Sequence, residues 1–309
     1  MTHKVVAVVL NWNGMDVIET CLDSLIASRD VNMHVLVVDN GSTDGSIEYV
    51  GEHYPEVTQL ELGENTGFCE GNNRGMQWAL DSGADYIFMA NNDIKVDPFA
   101  VAELVKAAVE NPDAGAVGSK IYFMDKPDII QSAGVEINRE KLLGQHRGAR
   151  EKDDGKFDTM EPVDSLMGCA LLFRSKALEE VGFLDTRFHF YHEETDLCLR
   201  IGENGWKILF VPKSKIYHRS GYGMIERRVR NIYYSRRNHF LLWKKHPYIS
   251  TTRAWRNEMR FLLEEYFIAR AGKYNRPYIY VIAGAIGIFD YVRGRFGKHP
   301  KIIESSFFK

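Results

Sequence analysis

The stretch Arg187–Arg200, RFHFYHEETDLCLR, sets His192, Glu193, Glu194 and Asp196 within a few positions of one another. Adjacent carboxylates repel, so the proton affinity of one is pushed up, which suits a general base working near neutral pH. Leu197 to Ile201 then reads as helix, placing these acids at a helix start where the macrodipole favours negative charge. Taken alone, the run reads equally well as an acidic helix N-terminus with Asp196 in its first turn. A second constellation lies about a hundred residues upstream. Asp85 to Ala90 is a short apolar run ending abruptly in Asn91-Asn92-Asp93. One carboxylate among amides suits a hard divalent cation that shares phosphate oxygens and keeps its waters. The competing reading is a cap before Asp97-Pro98.

Such groups need strands to aim them. Val5 to Leu10 is continuous apolar sequence broken by Asn11-Trp12-Asn13-Gly14, and Val35 to Val38 runs into Asp39-Asn40-Gly41-Ser42-Thr43-Asp44-Gly45-Ser46. Three apolar runs therefore end in polar, amide-rich turns, and in an open α/β sheet ligands collect at the carboxyl ends of strands. Between the second and third runs lies Asn65-Thr66-Gly67-Phe68-Cys69-Glu70-Gly71-Asn72-Asn73-Arg74-Gly75, whose glycines allow close backbone approach and whose amides donate and accept. Together these turns describe a nucleotide pocket on a parallel sheet. No GxxxxGK[ST] or GxGxxG phosphate loop is present, which weakens kinase and dinucleotide readings.

In family order, the chain carries VVLNWNG, VVDNGSTDGS, NTGFCEGNNRG, FMANNDIKVDP, MGCALLFRSKALEEVGFLDTRF, YHEETDLCLRIGENGW and VPKSKIYHRSG. Over about residues 4 to 221 it thereby resembles glycosyltransferase family 2, and its wording is most like that of bacterial rhamnosyltransferases of cell-wall or O-antigen synthesis. The resemblance implies the GT-A fold, an α/β domain with a mostly parallel Rossmann-like sheet flanked by helices. It assigns residues 1–222 to the catalytic domain, with a nucleotide-binding half of about 1–98 and an acceptor-side half of about 99–222. It implies that Asp39 and the Asn65 loop, with Gly67 and Asn72, hold base and ribose, that Asn11 and Asn13 line the same pocket, and that Asn92 and Asp93 meet the diphosphate. Asn91 stands where relatives carry an acid, leaving Asp93 the one carboxylate for Mg²⁺ or Mn²⁺, and His218 matches a histidine that in some relatives joins it. Gly168, in Gly168-Cys169-Ala170, matches the small-residue turn that lets a sugar approach the backbone. Glu193-Glu194 matches an acidic pair whose second member is usually the base, which favours Glu194, with Glu193 second and Asp196 supporting the geometry.

The implied activity is inverting, metal-dependent, non-processive transfer of a sugar from a nucleotide-diphosphate donor, dTDP-rhamnose favoured, to a hydroxyl of a glycan or lipid-linked glycan. Processive relatives carry QxxRW and transmembrane helices, and the chain has neither. A sugar nucleotidyltransferase, or a catalytically silent sugar-binding partner, is the alternative.

At 309 residues and 45% hydrophobic, the chain can bury a full α/β domain with a further helical portion. Cys21, Cys69, Cys169 and Cys198 lack metal-type spacing and read as reduced thiols, and Met1-Thr2-His3-Lys4 leads straight into the first strand without a signal peptide. The net charge of -3 hides an asymmetry: residues 207–309 hold 22 Lys and Arg against 6 Asp and Glu, whereas residues 1–206 hold 17 against 36. Residues 223–309 form a helical, basic extension: Arg227 to Trp243, Thr251 to Ala271 with Trp255, Met259, Leu262, Leu263 and Tyr266 on one side, and Tyr278 to Tyr291. The charge-free run Pro277 to Phe289 is shorter than the roughly 20 apolar residues a bilayer crossing needs. Basic residues mixed with Trp, Tyr and Phe suit an anionic membrane surface, so the expectation is a cytoplasmic protein peripheral on the inner face of the plasma membrane. Packing on the core or a homodimer interface is the alternative. Nucleic acid is not expected as a partner, because no recognised binding module accompanies the basic helix. Gly144 to Met160 reads as a mobile loop able to close over the donor, and Ser220 to Gly223 as a second flexible segment.

Overall fold

The computed structural model describes residues 3–140, 143–219, 225–248, 250–271, 276 and 278–304. Its elements in chain order are β1 Lys4–Asn11, α1 Ile18–Ile26, β2 Asn32–Asp39, α2 Ser46–His53, β3 Thr58–Glu61, α3 Phe68–Asp81, β4 Tyr86–Asn91, β5 Ile94–Val96, α4 Ala100–Glu110, β6 Ala114–Phe123, β7 Lys126–Ser132, β8 Val135–Asn138, β9 Leu143–His146, β10 Glu161–Pro162, β11 Ala170–Arg174, α5 Ser175–Val181, α6 Glu193–Glu203, β12 Lys207–His218, α7 Ile225–Lys245, α8 Thr251–Ala271 and α9 Tyr278–Val292. The chain divides into two compact units. One comprises Met1–Glu136, Gly144–Leu184 and Glu194–Ser220; the other comprises Ile137–Leu143, Asp185–Glu193 and Gly221–Lys309.

The first unit is built on a ten-stranded sheet whose main path runs β10-β12-β6-β11-β4-β1-β2-β3. From β4 through β1 and β2 to β3 all pairings are parallel, and from β11 outward antiparallel pairs enter, so the sheet is mixed. Val5 to Val9 are fully buried, as a strand covered on both faces by helices requires. One cover is α3, which comes unusually close. A Cβ on Gly75 would lie 2.3 Å from Val8 Cγ1, and one on Gly71 would lie 2.5 Å from Leu10 Cδ1. These two glycines therefore serve helix-to-sheet contact, a different use of close approach from the ligand contact their motif suggests.

Register places the chemistry. Asn11 pairs with Asp39 and Leu10 with Asn91, so the polar residues that end β1, β2 and β4 share one edge of the sheet. The stretch Gly144–Met160, expected to be mobile, is tied down. Lys120, 1% exposed, sends its ammonium to Asp153 at 3.0 Å and Asp158 at 2.6 Å, Phe157 is buried, and Ile130 N–H donates to Glu151 O. Ser220 to Gly223 lies outside the described residues.

In the second unit, Val229, Ile232, Tyr233 and Tyr234 of α7 pack with Ile279, Tyr280 and Ala283 of α9. The boundaries of all three helices follow the sequence reading closely. One face does not: Leu262 is buried, while Trp255, Met259 and Leu263, expected beside it, are exposed.

Candidate active site

At the end of β1, Asn11 is fully buried and acts as a hub. Its Nδ2 donates to Ser46 Oγ at 2.9 Å, Ser42 Oγ at 3.2 Å and Asp39 Oδ1 at 3.3 Å, and its Oδ1 accepts from Asn92 Nδ2 at 2.8 Å. Asp39 is also buried. Its Oδ2 accepts from the N–H groups of Gly41 and Ser42, and its Oδ1 from Ser42 Oγ. The carboxylate thus orders the loop after β2 with its own donors, and Asn13 ties the same loop by accepting from Thr43 N at 2.8 Å. Asn65 accepts from Gly67 N at 3.0 Å, where the left-handed φ of 92° at Gly67 opens α3. Asn72 is interior: its Nδ2 donates to Phe68 O, and its buried Oδ1 has no partner among the described residues.

Three side chains outside the expected set matter here. Asn40, buried at the end of β2, holds the Asn65 loop by accepting from Thr66 N at 2.8 Å and donating to Gly67 O at 3.2 Å. Asn73 clamps the backbone of Leu184 at both its N–H and its carbonyl. Trp12, between Asn11 and Asn13, is 49% exposed. An apolar ring left in water at the strand-end edge is able to stack on a planar base, and its position was the only signal in the sequence.

Asp93 follows β4, and β5 pairs antiparallel with β12 so that His218 lies opposite Ile94. His218 Nε2 stands 3.3 Å from Asp93 Oδ1, while His218 Nδ1 lies 3.0 Å from Gln131 Oε1. In the tautomer whose Nδ1–H donates to Gln131, the Nε2 lone pair faces an Asp93 oxygen that is buried without a well-formed hydrogen bond. Two acceptors face one another, an arrangement that a proton on Nε2 or a shared cation would satisfy. Among the described residues no three His, Cys, Asp or Glu side chains gather to hold a metal. Asp93 and His218 thus fit an ion of the Mg²⁺ or Mn²⁺ kind whose other ligands are phosphate and water oxygens. Beside them lies a cleft of about 140 Å³ lined by Asp16, Val17, Thr20, Ile94, Met124 and Arg219. It is too small for a whole nucleotide sugar, and Arg219 brings a cation to it.

Glu193 opens α6 and is buried, and Glu194 follows, half-buried. A Cβ on Gly168 would lie 3.2 Å from Glu194 Cγ, so the missing side chain is what makes room for the glutamate. Burial raises the Glu194 carboxyl above the ordinary carboxylate value, with opposing hydrogen bonds from Glu194 and Thr195. Cys169 links the two acidic sites. Burial pushes its thiol far up, and the charges of Asp93 and of Glu194 both add to the effect. Asp93, His218, Gly168 and Glu194 are therefore neighbours in one unit. Asp196 is fully buried and pairs with Arg200 at 2.9 Å, and Arg200 caps the carbonyls of Val181 and Phe183. Through Arg200, Asp196 thus ties α6 to the turn after α5.

The loop entering α6 is held within the helical unit. Asn238, fully buried on α7, donates from Nδ2 to the carbonyls of Phe188 at 2.8 Å, Phe190 at 2.8 Å and Tyr191 at 2.9 Å, and Arg237 donates to Phe188 O at 2.9 Å. His189, Tyr191 and His192 all have left-handed backbone, with φ of 63°, 73° and 71°. His192 stacks on His239, and burial holds its imidazole well below the ordinary histidine value.

The model described as Glycosyl transferase family 2 matches residues 6–182, and the one described as Glycosyl transferase family group 2 matches residues 96–271. The chain is 30% identical over 240 residues to an N-acetylglucosaminyl-diphospho-decaprenol L-rhamnosyltransferase of Mycobacterium tuberculosis, covering 71% of this chain and 76% of that protein. It is 24% identical over 257 residues to the dTDP-rhamnosyl transferase RfbF of Shigella flexneri, covering 79% and 81%. Among solved structures, the mannosyltransferase PcManGT of Pyrobaculum calidifontis, in complex with GDP-Man and Mn²⁺, shares the fold at a TM-score of 0.59 and 16% identity, over 94% of this chain and 88% of that one. The mixed α/β sheet with its strand-end site is the GT-A fold. The chain belongs to glycosyl transferase family 2, and it is an enzyme of that family.

Proposed function

We propose that the protein is an inverting, metal-dependent, non-processive transferase that moves rhamnose from dTDP-rhamnose to a hydroxyl of a lipid-linked glycan. The observation that carries the reading is that Asp93, 3.3 Å from His218, and Glu194, packed against Gly168, are both near enough to Cys169 for their charges to act on its thiol. Donor and acceptor follow from the names of the two rhamnosyltransferase relatives.

In this reading Asn11, Asn13, Asn40 and Asp39 hold the strand-end loops in shape, Trp12 offers its exposed ring to the base, and Arg219 meets the diphosphate. Gly168 lets the Glu194 side chain pack against the backbone at the place where the sugar is proposed to bind. Mg²⁺ or Mn²⁺ held by Asp93 and His218 would neutralise charge growing on the leaving diphosphate. Glu194 takes the proton of the acceptor hydroxyl as that oxygen bonds to the anomeric carbon from the face opposite the diphosphate. The bond from the anomeric carbon to the diphosphate oxygen breaks in the same displacement, and the configuration inverts.

The test is donor consumption over dTDP-, UDP- and GDP-sugars with Mg²⁺ or Mn²⁺, with and without a lipid-linked acceptor, for wild type, Glu194→Gln and Asp93→Ala. The expected outcome is consumption of one dTDP-sugar, loss of turnover in both variants, and loss of metal stimulation in Asp93→Ala. Full activity in Glu194→Gln would remove the proposed base. Pyrophosphate release from a nucleoside triphosphate and a sugar phosphate would make the protein a nucleotidyltransferase instead.

A further inference from the structure

Helix α8 buries the wrong residues for a free surface helix. Its inward ridge is Ala254, Glu258 and Leu262, with Glu258 fully buried against His239 and 3.4 Å from Arg236. Its outward ridge is Trp255, Met259, Leu263 and Phe267, four residues apart at every step, and Leu263 and Phe267 are each 61% exposed. A helix that folds against its neighbours normally turns its apolar stripe inward, so a face that keeps a glutamate inside and a leucine and a phenylalanine in water has another solvent in view. Helix α9 also leaves apolar residues in water, with Tyr278, Ile282, Phe289 and Val292 exposed at spacings of four, seven and three.

Charge selects the occupant. Arg256 and Arg260 form the ridge next to the apolar one on α8, both exposed, with Arg260 paired to Glu264 at 2.7 Å, and Arg270 is exposed in the last turn. Residues 223–309 hold 18 Lys and Arg against 6 Asp and Glu, and two of those acids, Glu258 and Asp290, are buried. A second copy of the same basic face would meet it with like charge, whereas an anionic lipid surface complements both ridges at once. Among the described residues no helix is long and apolar enough to cross a membrane, so the match is to a helix lying in the headgroup layer with its apolar ridge in the acyl boundary.

We propose that the Trp255-Met259-Leu263-Phe267 ridge of α8, flanked by Arg256 and Arg260, is a docking face for anionic lipid bilayers. This deepens the reading of a lipid-linked acceptor, which would lie in the same bilayer, and rests on it only for its purpose.

The experiment is flotation of the full chain with vesicles of phosphatidylcholine alone or mixed with phosphatidylglycerol, at low and at moderate salt. Wild type is compared with Leu263→Asp/Phe267→Asp and with Arg256→Glu/Arg260→Glu. Wild type should float with the anionic vesicles and less so as salt rises. Both variants should lose roughly tenfold or more in partitioning, with melting temperature and donor hydrolysis unchanged, since all four positions are exposed. Wild type remaining at the bottom with anionic vesicles at low salt would overturn the proposal. So would a Leu263→Asp/Phe267→Asp variant that floats as wild type does. A wild-type dimer that this variant converts to monomer would give the face to a second copy and also overturn it. Flotation that persists in a protein consuming no donor supports the docking face while defeating the transferase chemistry, so the two failures are distinguishable.

Discussion

In the proposed mechanism Glu194 is where catalysis and stability pull in opposite directions. Its carboxyl is raised by burial, so the free base proposed to take the acceptor proton forms at a pH above the ordinary glutamate range. The acid limb of kcat/KM should therefore lie above that range and vanish in Glu194→Gln, with kcat lowered by about 10²–10⁴-fold and donor affinity nearly unchanged. For stability the sign is set by the raised value. The protonated carboxyl favours the folded state, and that contribution is lost as pH rises through the folded pKa. Glu194→Gln should thus melt no lower than wild type at neutral pH and have its advantage shrink as the pH falls. A variant that melts well below wild type at neutral pH would contradict a buried, charge-penalised base.

At the scale of elements, the start of α6 depends on a loop that cannot hold itself. Three non-glycine residues in left-handed backbone cost on the order of 1–3 kcal/mol each, and Asn238 offsets this by engaging three carbonyls with one amide group. Replacing Asn238 with Ala withdraws this donor from the carbonyls of Phe190 and Tyr191, while Phe188 O keeps Arg237, and each buried carbonyl that loses its bond costs about 1–3 kcal/mol. The expected result is a lower melting temperature together with a fall in kcat at little-changed donor affinity, read by single-turnover kinetics and donor titration. Equal kcat in the folded variant would make the clamp purely structural. Gly75→Ala probes the contact of α3 with the sheet, where a methyl 2.3 Å from Val8 Cγ1 forces the helix away. A loss of about 1–3 kcal/mol is expected in denaturant unfolding.

Across the whole molecule, the four cysteines are buried and unpaired in disulfides, and burial pushes Cys198 up to about 12 and Cys21 and Cys169 further still. A thiol held protonated and out of solvent is inert. The native protein should react slowly with a disulfide reagent at neutral pH, and all four thiols should report together once denaturant unfolds the chain. Rapid modification of one thiol in the native state would show a site that opens on its own. The charge division belongs to this scale too. An acidic N-terminal portion carrying the strand-end site and a basic C-terminal portion are the charge division that the proposed docking of the C-terminal helices on an anionic bilayer would use.

Apolar runs broken by Asn11, Asp39 and Asn91 were legible as strands ending in polar turns, because the signal is local: apolar continuity followed by groups that cannot enter a buried strand. The helices of the basic extension were legible for the same reason. Motif wording identified the family, since those short segments carry their residues in contiguous order. Tertiary structure alone set β1, β2 and β4 in register and brought His218 to 3.3 Å from Asp93 across 125 positions of chain. It gave Asp39 and Asn40 to loop architecture, because buried polar groups must find donors and acceptors and the nearest were in neighbouring loops. It pinned the charge-dense Gly144–Met160 stretch through a lysine whose partners lie more than thirty residues away. It also turned Leu262 inward and Leu263 outward on α8. Helical periodicity marked the Trp255–Phe267 ridge as the one to bury, and only the surface α8 packs against, where Arg236 and His239 meet Glu258, decided that the Ala254–Glu258–Leu262 ridge goes inside.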